Sequence, residues 1–211
     1  MSWMAWTWQT AAFFTFIALL LVAMRPISKV ASLLVSLSVL AGLAGPALAH
    51  QRQLLQVGST DYLLVVGSLD EPVFTGDKSG VDLTVLVPDA SNPMDSRAEK
   101  AKPVEGLEKT LKVEVRAGPH ARVFELEPRF RAPGRYDAVF YPTVATTYTY
   151  RLFGTINGTP FDVTFACNPG GHVAGEDRSV VKVSADVTRK GQAGSFGCPR
   201  ARSEAEFPPT R

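Results

Sequence analysis

Residues 148–165, YTYRLFGTINGTPFDVTF, contain the pattern that decides the fold. β-Branched and aromatic residues dominate both halves, and in residues 161–165 apolar side chains alternate with polar ones. Alternation of this kind places one face of a strand against a core. Asn157 and Gly158 lie between the halves, and both accept the positive φ angles of a type I′ turn. The stretch therefore predicts a β-hairpin whose first strand is Tyr148–Ile156.

Similar period-two patterns recur upstream of this hairpin. Apolar and polar residues alternate most clearly in Val81–Val87 and Leu111–Val115. Three further runs are rich in β-branched or aromatic residues and are predicted as strands: Asp61–Leu69, Arg122–Leu126 and Tyr136–Tyr141. Between residues 50 and 167 no segment has the helical period. This pattern predicts an all-β fold, an immunoglobulin-like β-sandwich of about seven or eight strands.

The chain before His50 has the order of an export signal. A basic head, Met24–Lys29, precedes an apolar core, Val30–Gly45, and the small residues of Pro46–Ala49 close the segment. This order is typical of a secretory signal peptide. Cleavage after Ala49 would make His50 the first residue of the mature chain.

A second apolar stretch, Ala11–Met24, precedes the basic head and leaves two interpretations open. Translation starts at Met24, or the chain forms a hairpin of two membrane helices whose turn is held in the cytoplasm by Arg25 and Lys29. Each apolar run is near the roughly 20 residues that span a bilayer. Both interpretations place the domain from His50 onward outside the cytoplasm, in the periplasm or the extracellular space, with membrane contact only through residues 1–49.

The remaining chain is electrically balanced. Two of the 22 basic side chains and none of the 20 acidic ones lie before His50, which leaves 20 of each sign. A neutral balance argues against a nucleic-acid partner, because binding phosphates requires a basic patch. We expect one domain over residues 50–172 and a polar tail over 173–211.

The predicted tail and one long loop interrupt the strand pattern. The polar segment Asp89–Glu108 predicts a surface loop between two strands. Residues 173–211 predict a loosely ordered tail with one edge strand at Ser179–Ser184. Cys167 and Cys198 are the two cysteines of the chain, and an oxidising compartment favours their pairing. The disulfide would pin the tail to the domain.

Three histidines, His50, His120 and His172, all lie in the part predicted to be exported. An amino-terminal histidine can chelate a metal through its free amine and its ring together. A second imidazole would give three nitrogens in a plane, which suits Cu(II) in a tetragonal site. The hypothesis is a copper site centred on His50, with His120 or His172 as the second ligand.

Family resemblance points the same way. A signal ending in Ala47-Leu48-Ala49, a mature chain opening on His50, and the turn and strand at residues 133–136 (PGRY) resemble the periplasmic copper-resistance protein C and YtkA-like β-sandwich proteins. The resemblance implies a β-sandwich and a Cu(II) site built from the amino-terminal histidine and a later Asp-x-His motif. This chain has no Asp-x-His, so the resemblance carries over His50 alone.

The sequence contains no recognisable enzymatic motif. No serine has a Gly-x-Ser-x-Gly setting, and no histidine pairs with a nucleophile at a recognisable spacing. The acidic residues of 61–82 do not follow a calcium-loop spacing and are interpreted as solvated strand ends. We therefore expect a binding protein and no enzyme, with a copper-binding or copper-delivery role in the cell envelope. The alternative is a metal-free envelope module that contacts a partner protein through its loops or a sheet edge.

Overall fold

The computed structural model describes residues 49–171, 173 and 175–201. The predicted signal or anchor segment up to residue 48, His172 and the end of the chain from residue 202 lie outside the described residues. Within the described part the fold is all-β, with two antiparallel sheets that form a β-sandwich. That part contains no helix long and apolar enough to cross a membrane. The predicted fold class is confirmed.

The first sheet has the main strand order β11-β13-β1-β2-β3-β8-β7, with β12 beside β13 and β4 beside β3. Its strands are β1 (His50–Val57), β2 (Thr60–Ser68), β3 (Ser79–Val87), β4 (Lys102–Pro103), β7 (Glu127–Pro128), β8 (Arg135–Phe140), β11 (Glu176–Asp177), β12 (Val181–Lys182) and β13 (Val187–Ala193). The second sheet has the order β10-β9-β5-β6. Its strands are β5 (Leu111–Ala117), β6 (His120–Glu125), β9 (Tyr148–Ile156) and β10 (Thr159–Ala166). A short 3₁₀ helix, Leu107–Lys109, precedes β5.

The hairpin predicted from residues 148–165 is present as β9 and β10. Ile156 pairs with Thr159 across a two-residue turn, and Asn157 and Gly158 have φ angles of 48° and 77°. Positive φ at both central positions is the type I′ geometry. The Asn157 side-chain amide also donates a 2.7 Å hydrogen bond to the Tyr62 hydroxyl. The turn therefore connects the second sheet to the first as well as closing the hairpin.

The core lies between the two sheets and is built from the alternating positions. Leu64, Val66 and Leu83 of the first sheet and Val113 and Leu152 of the second are fully buried. In each case the neighbours along the strand point away from this core, because successive side chains of a strand face opposite sides. The apolar residues of the period-two pattern thus form the interface between the two sheets.

Two long strands of the first sheet, β1 and β13, are absent from the sequence prediction. The seven predicted strands correspond to β2, β3, β5, β6, β8, β9 and β10. β1 has two adjacent leucines, and the register of its pairing with β13 shifts between Leu54 and Leu55. Such an irregularity breaks the alternation that identifies a strand in sequence.

The C-terminal part differs most from the prediction. Instead of a loosely ordered tail, Val187–Ala193 forms β13, which pairs with β1 over six residue pairs. Val187 and Phe196 are fully buried, and the Phe196 ring stacks on Tyr150 at 5.0 Å. The predicted edge strand at Ser179–Ser184 is reduced to the two residues of β12. Backbone pairing with β1 orders a segment whose own side chains are mostly polar.

The predicted disulfide between Cys167 and Cys198 is present. It joins the residue that follows β10 to the segment that follows β13. The backbone continues this connection, because the Asn168 amide donates to the Phe196 carbonyl at 2.8 Å. The bridge therefore links the edge strand of the second sheet to the described segment that follows β13.

The long loop after β3 lies against the outer face of the first sheet. The Arg52 guanidinium donates a 3.3 Å hydrogen bond to the Met94 carbonyl. Leu54, Leu63 and Leu86 occupy outward positions of β1, β2 and β3, yet each is at least 92% buried. A solvated connector would leave these side chains in water, so the loop serves as a cover for this part of the sheet.

Candidate functional site

The sheet register places four residues in one row across the outer face of the first sheet. His50 of β1 pairs with Gly67 of β2, which pairs with Asp82 of β3, which pairs with Asp137 of β8. All four face away from the core, since the neighbours of Asp82 along β3 are core residues. The row lies at the end of the sheet where the mature chain is predicted to begin.

Gly67 makes the contact between His50 and Asp82 possible. A Cβ atom at Gly67 would lie 2.6 Å from the Cδ2 atom of His50 and 2.8 Å from its Cγ. The imidazole therefore lies directly over the glycine and reaches the next strand, where Nε2 is 3.3 Å from Oδ2 of Asp82. Glycine inside a strand commonly marks such a close approach.

Asp82 is the centre of a charged cluster, which we define as His50, Asp82, Arg129, Arg135 and Asp137. Arg135 donates to Oδ2 of Asp82 at 2.9 Å. Arg129 forms an ion pair with Oδ1 of Asp82 at 3.3 Å and donates to both carboxylate oxygens of Asp137 through Nε, at 3.0 and 3.1 Å. Like charges directly opposite on adjacent strands repel. Arg129 offsets that repulsion by contacting both carboxylates.

The surroundings of Asp82 fix its protonation state. Its side chain is only 7% exposed, and burial by itself raises the pKa of this carboxyl. The hydrogen bond with His50 and the charges of Arg135 and Arg129 act in the opposite direction, and the net pKa lies below the usual value. Asp82 is therefore ionised at neutral pH, and an ionised carboxylate only accepts hydrogen bonds.

The protonation state of Asp82 decides the tautomer of His50. Because Asp82 can only accept, Nε2 of His50 must carry the proton of their shared hydrogen bond. In the neutral ring the lone pair then lies on Nδ1, the nitrogen nearer the backbone. Metal-binding histidines commonly donate their other ring N–H to a carboxylate in this way, which orients the ring.

The structure does not bring His120 to this cluster. His120 begins β6 in the second sheet, opposite Ala117, and its side chain lies on the same side of that strand as Phe124, which packs against the core. His50 faces away from the core on the far side of the first sheet. His172 lies outside the described residues. Among the residues that are described, no group of three or more His, Cys, Asp or Glu side chains is arranged to hold a metal ion.

Sequence reasoning identified His50, misread Asp82 as a solvated strand end, and missed the other three cluster residues, Arg129, Arg135 and Asp137. Two signals were present: an aspartate within the apolar run 81–87, and a glycine inside the strand 60–68. Neither signal identifies the cluster before the strands are paired, because the partners of Asp82 are 32 to 55 residues away in sequence. Pairing of β1, β2, β3 and β8 brings them together.

Comparison of the chain with protein-family models, curated proteins and solved structures finds no match.

Proposed function

We propose that the protein is an exported β-sandwich that binds Cu(II) through His50 at the start of its mature chain. The observation that carries this proposal is the hydrogen bond between Nε2 of His50 and Asp82. It leaves the Nδ1 lone pair for a chelate with the free amine of the same residue. The resemblance to the copper-resistance proteins supports the proposal through the same residue.

The donor set suits the metal. An amine and an imidazole nitrogen are ligands that Cu(II) accepts in a tetragonal site, where oxygen ligands or water complete the plane. Asp82 acts as a positioning residue for the ring, because its carboxylate is already shared with two arginines. The proposed site does not include His120, because His120 lies in the second sheet and His50 faces away from the core on the first. The function proposed is binding or delivery of copper in the cell envelope.

Titration of the processed protein with Cu(II), followed by visible absorption, tests this proposal. The comparison variant carries one additional residue before His50, which converts the amine into an amide and removes the chelate. We expect tight stoichiometric binding by the processed protein and its loss in the extended variant. A second variant, Asp82→Asn, should bind about 10- to 100-fold more weakly, because loss of an outer carboxylate typically costs a metal site that much.

Circular dichroism of the three proteins provides the folding control. Equal weak binding by all three would contradict the copper proposal. It would favour the alternative from the sequence, a metal-free module that contacts an envelope partner protein.

A further inference from the structure

A groove separate from the His50 cluster opens at the margin of the sandwich, between β6 and β8. β6 is the outer strand of the second sheet. In the first sheet β7 pairs only with Tyr136 and Asp137 of β8, so the end of β8 forms an edge of that sheet opposite β6. The resulting space has a volume of about 560 Å³. This lies within the range of roughly 300–1,000 Å³ that is typical of ligand sites.

The floor of the groove is aromatic. The rings of Phe124 and Phe140 lie 5.9 Å apart, and those of Phe140 and Tyr148 lie 6.0 Å apart. Tyr141 also lines the groove and is 60% exposed. Aromatic rings along one recess offer an apolar surface to a ligand.

The lining of the groove contains basic side chains and no acidic ones. Arg122 and His120 line it, and no acidic residue does. The guanidinium of Arg122 lies 5.0 Å from the centre of the Phe124 ring, where a cation–π contact holds it over the floor. Among the described residues neither basic side chain forms an ion pair, whereas Arg116, one strand away on the opposite face, pairs with Glu114 at 3.0 Å.

We propose that this groove binds a free amphiphilic carboxylate, with its apolar body on the aromatic floor and its carboxylate on Arg122. A planar guanidinium can donate two parallel hydrogen bonds to one carboxylate. An apolar body suits the aromatic floor of Phe124, Phe140 and Tyr148, and an anionic head suits a basic rim that has no acidic residue in its lining. A cationic or zwitterionic ligand would lack the counter-charge that it needs there. The inference is independent of copper binding, because His50 lies on the other side of the first sheet.

Decanoate, decylammonium and decanol share one tail and differ in the charge of the head, so they test the proposal. Each is titrated below its micelle concentration into ¹⁵N-labelled protein, and the amide shifts are mapped. We expect decanoate to shift amides of β6 and of residues 139–143, and to bind at least tenfold more tightly than decanol. Decylammonium should bind more weakly than either. Equal affinity for the three ligands, or shifts confined to other segments, would overturn the proposal.

Two arginine variants locate the head group. Arg122→Gln should weaken the binding of decanoate at least tenfold, because the charge-assisted hydrogen bond between guanidinium and carboxylate is lost. Arg116→Gln removes the same charge from the opposite face of the same sheet and should leave the affinity unchanged. Vesicles of phosphatidylglycerol form the last arm. Vesicle binding that depends on Arg122, without binding of decanoate, would replace the free ligand by a membrane surface and overturn the proposal as stated.

Discussion

At the scale of single residues, the structure is most informative where a carboxylate is buried on the outside of a sheet. Asp82 faces away from the core and is nevertheless 95% buried. Its charge persists there because Arg129, Arg135 and the His50 ring surround it. Removing one partner of such a group destabilises the protein by more than the contact itself contributes, since the remaining charge is then buried without a partner. We therefore expect the loss of any one of these partners to destabilise the protein.

Asp82→Asn should change how stability depends on pH. A carboxyl whose pKa is lowered by folding stabilises the protein above its unfolded pKa of about 3.9, and this contribution disappears as pH falls through the folded value. The Asp82 pKa is lowered by its partners. We expect wild type to exceed Asp82→Asn in Tm at pH 7 and the gap to narrow below about pH 4. Thermal unfolding by circular dichroism from pH 7 to pH 2 measures this gap. A gap that stays constant over the whole range would contradict the prediction.

At the scale of elements, the disulfide has a larger role than pinning a tail. Cys167 follows β10 and Cys198 follows β13, so the bridge connects elements that belong to different sheets. The Tyr148 amide also donates to Sγ of Cys167 at 3.0 Å. Replacing Cys167 would remove this hydrogen bond as well as the disulfide. Cys198 is therefore the better residue to change.

Cys198→Ser should lower the free energy of unfolding by about 3–4 kcal/mol, the chain-entropy value for a loop of this length. The two cysteines are 31 residues apart in sequence. Urea denaturation of the oxidised wild type and of the variant measures the difference. Reduced wild type should unfold together with the variant, and the variant should be insensitive to reductant. A loss below about 1 kcal/mol would show that backbone pairing by itself holds the C-terminal segment.

At the scale of the whole molecule, the two ends of the domain complete one sheet. β1 lies between β2 and β13, so the first strand of the domain is flanked by its neighbour in sequence and by the last long strand. Phe196 follows β13 and is fully buried against Tyr150. The described segment after residue 175 is thus part of the sandwich as far as Phe196 and the Cys198 bridge.

Phe196→Ala should destabilise the protein by about 3–5 kcal/mol, as expected for removing a buried phenylalanine. Phe130→Ala is the matched control, because Phe130 is 83% exposed and its replacement should change stability by less than about 0.5 kcal/mol. Chemical denaturation of both variants gives the comparison. Similar small losses for the two would mean that residues after β13 do not belong to the folded unit.

The sequence by itself determined the fold class, seven of the long strands and the β9–β10 turn. These depend on local information: alternation with period two identifies which side of a strand is buried, and Asn157-Gly158 accepts a backbone shape that few residue pairs tolerate. The pairing of Cys167 with Cys198 followed from the count of two cysteines. The predicted export and the availability of the His50 amine stay predictions.

Only the tertiary structure decided the cluster, the groove and the role of β13. Asp82 meets His50, Arg129 and Arg135 through the lateral order of five strands, β1-β2-β3-β8-β7, and no local pattern encodes that order. β13 is polar, and its place comes from backbone hydrogen bonds to β1, which depend little on side-chain type. Arg122 and Phe140 line one groove because the sandwich places the edge strand β6 beside the end of β8. Contacts between residues far apart in sequence are set by packing of the whole chain, whereas strand patterns are set within a few residues.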